Sequence, residues 1–370
     1  MKKCCVRFIF LFQFFVSISN NIENLLFDPS LNILLYDDTC IYVTENSNAI
    51  YKMKVDEDSP KNLSLIQNAK NKTLIKLSNE SFILFALNSN NLLSYYKYNI
   101  NDNNLNIIPI STDLSINGNF GNHTIKYIDE NKFLVYYIYF GQFYLHTINL
   151  VSTNKGGIKL INLESGYDLN HIECESYDGQ NIFCVYSMIK KIAETDAQVY
   201  FTTISYYSFE NIDQPRLGKN LIKKEIAGPS LLKIEYNNKK QFLICYYEIN
   251  NEKNPSIYCQ FFTVNENNLL MAQQTYFIGT TSYSQLNYEN YAFQSAMHLE
   301  RYDYTIYILL KFQIDRNNKK SILFVSSIDF NLIIPFYIDP NSGSEKLNIL
   351  VSDKYILFLK NSGYNIQVQK

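Results

Sequence analysis

The chain has no tryptophan, four histidines, eight prolines and only twelve glycines in 370 residues. Lack of tryptophan excludes every repeat signature and sugar-recognition box keyed on that residue. Lack of a Pro-, Gly- or Ser-rich linker leaves no place to divide the sequence, so residues 20–370 are expected to form one domain. No apolar run approaches the roughly 20 residues that a spanning helix needs, so no membrane span is expected. Charge of one sign is also scarce: the net charge is −2, and there is no basic stripe, which excludes nucleic acid as a partner. The acidic residues Asp37, Asp38, Asp56, Glu57, Asp58, Asp102 and Asp315 show no alternating calcium-loop spacing and read as solvated loop charges.

The chain is rich in strand-forming residues. Tyrosine and phenylalanine number 31 and 25, and 46% of residues are apolar. Short runs of Ile, Leu, Val, Phe, Tyr and Thr alternate with Asn, Asp, Gly, Ser and Lys, as strands alternate with turns. A continuously apolar strand recurs seven times, beginning near Cys40, Phe82, Phe133, Phe183, Phe242, Thr305 and Tyr355, at intervals of roughly 40 to 60 residues, the period of a four-stranded propeller blade. Burial on both faces demands such continuous apolarity where blades pack face to face. In the third unit, residues 124–128, 132–140, 142–150 and 157–163 read as first to fourth strands. Fourth strands are expected at 63–67, 106–111, 221–226, 273–278 and 332–338. The seventh unit ends without one, while residues 22–27 form an orphan strand ahead of the first unit. The fold class is therefore an all-β, seven-bladed β-propeller of four antiparallel strands per blade, with the N-terminal strand closing the last blade and removing an open edge.

Residues 1–19 have the layout of a signal peptide: Lys2, Lys3 and Arg7, then an apolar stretch over 8–16, then Ser17-Ile18-Ser19. Removing it would take the net charge to about −5. A secreted, surface or endomembrane-lumen location follows, and the cysteines agree with it. Cys174 and Cys184 flank one hairpin turn, and Cys245 and Cys259 flank another. Antiparallel neighbours place Cβ atoms about 4.5 to 5.5 Å apart, so both pairs are expected to be disulfides. Cys40 is left as a buried thiol. Glycosylation sequons stand at Asn62, Asn71, Asn79 and Asn122, although this composition would yield about six by chance.

The stretches ECESYDGQNIFCVYS and QFLICYYEINNEKNPSIYCQFF resemble divergent seven-bladed propellers of secreted and surface proteins from AT-rich protists, a resemblance that extends loosely over the mature chain. The Gly-His/Trp-Asp and kelch double-glycine patterns are absent, as is a Trp-containing Asp-box. A sialidase-type arginine clamp is also disfavoured: of Arg216, Arg301 and Arg316, the last two fall at opposite ends of their strands.

The expected function is non-catalytic binding of a protein or glycan by a monomer, through one propeller face. Its candidate contact residues are Phe120, Tyr167, Tyr283, Tyr288 and Tyr291, aromatics on long connections. The alternative is a secreted hydrolase or lyase with a channel-mouth active site. No catalytic residue and no cofactor is expected. His123 and His171, both placed where first strands begin, are the metal candidates, but two imidazoles fall short of the three or more ligands that a site needs.

Overall fold

A computed structural model describes the strands given below and the turn residues 38, 77–80, 90, 100, 131, 150–151, 177–180, 303–304 and 328–332. The signal-peptide region, the orphan strand at 22–27, Phe120, Asn122, Tyr283, Tyr288 and Tyr291 lie outside the described residues. Every regular element among the described residues is a β-strand.

The chain forms two compact units, Met1–Ile116 with Asn341–Lys370, and Asn117–Pro340. The first unit begins with sheet I, β1 (Asn32–Tyr36), β2 (Thr39–Val43), β3 (Ala49–Lys54) and β4 (Lys61–Leu65). Sheet II follows, with β5 (Lys70–Lys76), β6 (Ser81–Leu87), β7 (Leu92–Asn99) and β8 (Ile110–Ser115). In the second unit, sheet III holds β9 (His123–Asp129), β10 (Lys132–Tyr139), β11 (Gln142–Asn149) and β12 (Ile158–Ile161). Sheet IV holds β13 (Tyr167–Ser176), β14 (Asn181–Lys191), β15 (Gln198–Ser208) and β16 (Asn220–Lys224). Sheet V has β17 (Ile226–Tyr236), β18 (Lys239–Glu248), β19 (Ser256–Val264) and β20 (Leu270–Thr280). Sheet VI has β21 (Ala296–Tyr302), β22 (Thr305–Gln313), β23 (Lys319–Ser327) and β24 (Ile333–Ile338). Sheet VII, back in the first unit, shows three strands, β25 (Leu347–Val351), β26 (Ile356–Lys360) and β27 (Asn365–Gln369). Each sheet is an antiparallel meander in chain order.

Three fourth strands fall elsewhere than the sequence pattern suggests, among them β4, which runs Lys61–Leu65. β8 begins at Ile110, directly after Pro109, which has no N–H to give a ladder. β16 ends at Lys224, and Ile226 opens β17 instead.

Within each unit, first strands of successive sheets adjoin: β25, β1 and β5 in the first, and β9, β13, β17 and β21 in the second. The second strands are the most deeply buried. Phe82 to Ala86 on β6, Phe133 to Val135 on β10 and Phe242 to Leu243 on β18 are wholly shielded from solvent. Their two faces enter different sheet-to-sheet cores, which explains why alternation is lost there. Sheets I and II share Ile41, Ile50, Phe82 and Leu84. Sheets III and IV share Leu134, Phe143, Ile182 and Tyr186, and sheets IV and V meet through Phe183 and Phe242, with ring centroids 4.9 Å apart. Sheets V and VI share Leu243, Ile257, Ile306 and Ile308.

A repeated clasp ties adjacent sheets. A tyrosine at or just past the end of a first strand donates its hydroxyl to a carbonyl at the start of the next sheet's second strand: Tyr36 to Ser81 at 3.0 Å, and Tyr177 to Lys240 at 3.5 Å. Asp178 shapes the β13–β14 turn by accepting the N–H groups of Gln180 and Asn181 at 2.9 and 2.7 Å. Gly179 in that turn has φ 80°. A Cβ there would also meet Asp129 of sheet III at 3.4 Å, and the Gly179 carbonyl accepts from Lys132 Nζ at 3.3 Å.

Candidate functional site

The sheet III to sheet V seam gathers polar groups that can act together. Lys126 lies on β9, in the apolar stretch Thr124-Ile125-Lys126-Tyr127-Ile128, while Glu173 and Glu175 lie two residues apart on β13 and so share a face. Lys126 Nζ stands 3.3 Å from Glu175 Oε2 and 3.9 Å from Glu173 Oε2. Glu173 Oε2 also accepts the N–H of Leu231 on β17 at 3.3 Å, and Glu175 Oε1 accepts that of Ser176 at 3.2 Å. The network thus links the first strands of three successive sheets. It also remains open to water, with side chains of Lys126, Glu173 and Glu175 exposed by 28%, 19% and 16%.

The electrostatics are cooperative. Burial by itself would lower the Lys126 pKa, but Glu175, then Tyr136 and Glu173, outweigh it and the pKa is raised. Lys126 therefore stays cationic at neutral pH. Buried Tyr136, on β10, has its pKa pushed up to about 12 by desolvation, against the pull of Lys126. It remains a neutral hydroxyl and is hydrogen-bonded by the Cys174 backbone. The two carboxylates could accept hydrogen bonds from a polyhydroxylated ligand and exchange protons with it, and the Lys126 ammonium could donate one.

Sheet III carries a second polar group, in its interior. His146 on β11 is wholly buried; its Nε2 lies 3.2 Å from the Tyr137 hydroxyl, and the two rings stack at 5.5 Å. Tyr137 stacks in turn on Tyr144 at 5.0 Å. His146 Nδ1 has no hydrogen-bond partner among the described residues. Burial lowers its pKa to about 4, so the imidazole is neutral at neutral pH.

The residues singled out from sequence are dispersed. Tyr167 opens β13, opposite Lys190. His123 opens β9, opposite Tyr137, whereas His171 lies four residues inside β13, opposite Ser187, because β13 starts earlier than the sequence pattern indicates. Among the described residues, no three His, Cys, Asp or Glu side chains gather as metal ligands. Arg301 Nε donates to the Asp303 carbonyl at 3.0 Å in the β21–β22 turn. Cys174 with Cys184, and Cys245 with Cys259, stand directly opposite across their ladders, at disulfide distance, with Cα atoms 4.0 Å apart in each pair. Cys40 is a buried free thiol, its pKa pushed up to about 12 by desolvation. Sequence inspection passed over Lys126, Glu173 and Glu175; the available signal was a charge within an apolar first strand, facing two acids spaced by two on the next.

No known family's sequence model matches the chain, and no curated protein does. Solved structures do. An ulvan lyase of polysaccharide lyase family PL25 is 9% identical, with 96% of this chain and 94% of that one covered at a TM-score of 0.51. The same kind of lyase bound to -[GlcA(1-4)Rha3S]- matches over the same shares at 9% identity and a TM-score of 0.50. A xylan β-1,4-xylosidase from Bacillus halodurans C-125 is 11% identical over 67% of this chain, which spans only 52% of that enzyme, at a TM-score of 0.40. The chain shares the β-propeller fold of the lyases. Among the described residues no helix is long and apolar enough to cross a membrane.

These likenesses correct the expectation of a non-catalytic binding scaffold. The two of these structures that match end to end at a TM-score of 0.50 or more are polysaccharide lyases. The sequence held the hydrolase or lyase only as the alternative, because at 9% identity to these lyases no shared residue pattern can be read.

Proposed function

We propose that the chain is an exported β-propeller enzyme that cleaves a polysaccharide, by hydrolysis or by elimination. The observation that carries this reading is the end-to-end likeness to ulvan lyase, which covers nearly the whole of both chains. In this reading sheets I to VII are seven blades of one domain, and residues 22–27 supply the fourth strand of the last. Adjacency of β25 and β1 within one unit supports that closure. Export is supported by the leader-like residues 1–19 and by the two cysteine pairs at disulfide distance.

The Lys126–Glu173–Glu175 network is the candidate reaction centre. Paired carboxylates are the usual means of acid–base chemistry at a glycosidic bond, and this pair lies on a first strand with access to water. Lys126 fixes the two carboxylates against each other, and Tyr136 contributes a neutral hydroxyl beside them.

The test is incubation of the purified, oxidised protein with a panel of neutral and uronate-containing polysaccharides. New reducing ends report either reaction, and ultraviolet absorbance of an unsaturated uronate reports elimination alone. Cleavage is expected, with Glu175→Gln lowering kcat at least about 100-fold in protein that stays folded. A folded protein inert toward the whole panel would refute the enzyme reading. Full activity in both Glu173→Gln and Glu175→Gln would instead displace the reaction centre from this network.

A further inference from the structure

We propose that Asn79 is an occupied N-glycosylation site. The sequon is Asn79-Glu80-Ser81, and it differs in structural setting from the others. Asn62 lies within β4, opposite Tyr51 in the ladder. Asn71 lies within β5. Asn122 lies outside the described residues. Asn79 stands in the turn joining β5 to β6, and Ser78, Asn79 and Glu80 are all exposed.

The turn is held by its backbone and serine hydroxyls, without use of the Asn79 side chain in any of these bonds. Leu77 and Ser78 donate their N–H groups to the Ser81 carbonyl at 3.0 and 3.2 Å. The Ser78 and Ser81 hydroxyls meet at 2.8 Å, and the Glu80 N–H donates to Ser78 Oγ at 3.2 Å. Ile100 N–H donates to the Glu80 carbonyl at 2.7 Å, securing the turn to the end of β7. A glycan on Asn79 would project into solvent from a rigid base and displace no packed atom. Since strands in sheet II alternate in direction, this turn and the β6–β7 connection at Asn90 are at opposite ends of the sheet.

The site rests on the exported reading and is independent of catalysis. It is tested by producing the full chain in a yeast secretory host, once behind its own N-terminus and once behind a host leader. Peptide mass mapping follows, with and without glycan release by an amidase in heavy-oxygen water. Isotope-labelled Asp at position 79 is expected in both preparations, as is loss of one glycan from Asn79→Gln without change in melting temperature. An unmodified Asn79 in folded protein delivered by the host leader would overturn the site. Occupancy there, with the self-led chain cytosolic and bare, would overturn export from its own N-terminus, and with it the occupied site in the natural protein.

Discussion

The seam between sheets I and II and the seam running through sheets III, IV and V use the same clasp but different charge chemistry. In the first unit two lysines reach neutral acceptors: Lys76 Nζ reaches the Leu35 carbonyl at 3.4 Å and lies 4.5 Å above the Tyr36 ring, and Lys52 Nζ donates to the Ile100 carbonyl at 2.9 Å. The first strands β1, β5 and β25 carry Lys70, Lys72 and Lys76 and no acid. In the second unit, β9, β13, β17 and β21 carry Asp129, Asp168, Glu173, Glu175, Glu235 and Glu300 against Lys126, Lys233 and Arg301. Both cysteine pairs are in this unit, while the first unit has only buried Cys40 among its described cysteines. One repeating topology therefore tolerates two kinds of seam. Among the described contacts the first uses carbonyls and ring faces, which do not titrate near neutrality, and the second uses carboxylates, while the sheets that flank it hold a buried imidazole and two cysteine pairs.

The largest expected difference between the units is their response to disulfide loss. The pairs close loops with sequence separations of 10 and 14 residues, and on the loop-entropy account each contributes on the order of 2 to 3 kcal/mol. Replacing each pair with two alanines should cost about that much, mainly in the second unit. Replacing Cys40 with alanine should cost roughly 1 kcal/mol, through the lost packing of a residue 2% exposed. Denaturant melts followed by hydrogen exchange in each unit would compare them. Equal losses for Cys40→Ala and for the double replacements would remove the covalent part of the distinction.

Acid should come next. His146 has a folded-state pKa of about 4 and an unfolded value of 6.5, so the unfolded chain binds the additional proton first. Stability is complete above about pH 6.5, falls as pH drops toward 4, and the fall amounts to about 3 kcal/mol. His146→Gln removes this titration, so its stability should vary less across that window, even if it is lower at pH 7. An identical pH slope in the variant would show that other groups govern the acid limb.

Much of this architecture was legible in the sequence because the continuously apolar second strands, such as 133–135, are required by burial on both faces. The cysteine pairs were legible for a related reason: residues flanking a short hairpin turn must face each other across the ladder. β8 and β16 were less so, because an outer strand carries little core and its limits depend on details such as Pro109. Lys126, Glu173 and Glu175 were not legible. Their meeting depends on how two strands about 50 residues apart are brought side by side, and each appears by itself as an ordinary strand charge. The preference for the enzyme alternative over the binding scaffold came from shape, which persists after sequence identity has fallen to 9%.

The smallest effect is also the most direct test of the two seams. Lys126→Met leaves Glu173 and Glu175 sharing a face without their cation; partly exposed as they are, the loss should be about 1 to 2 kcal/mol. Lys76→Met removes one hydrogen bond to a carbonyl and one cation–π contact at an exposed lysine, and should cost below about 1 kcal/mol. Salt separates the mechanisms. At high ionic strength the Lys126→Met penalty should shrink, since added counterions screen the two carboxylates from each other, while the Lys76→Met penalty should hardly change. The Lys126 contribution also has a defined pH window: its pKa is raised on folding, so its stabilisation is complete below the unfolded value near 10.4 and is lost as pH rises through the folded one. Thermal melts of both variants at low and high salt measure the difference. Equal salt dependence in the two would mean that the carboxylates on β13 do not distinguish the second seam from the first.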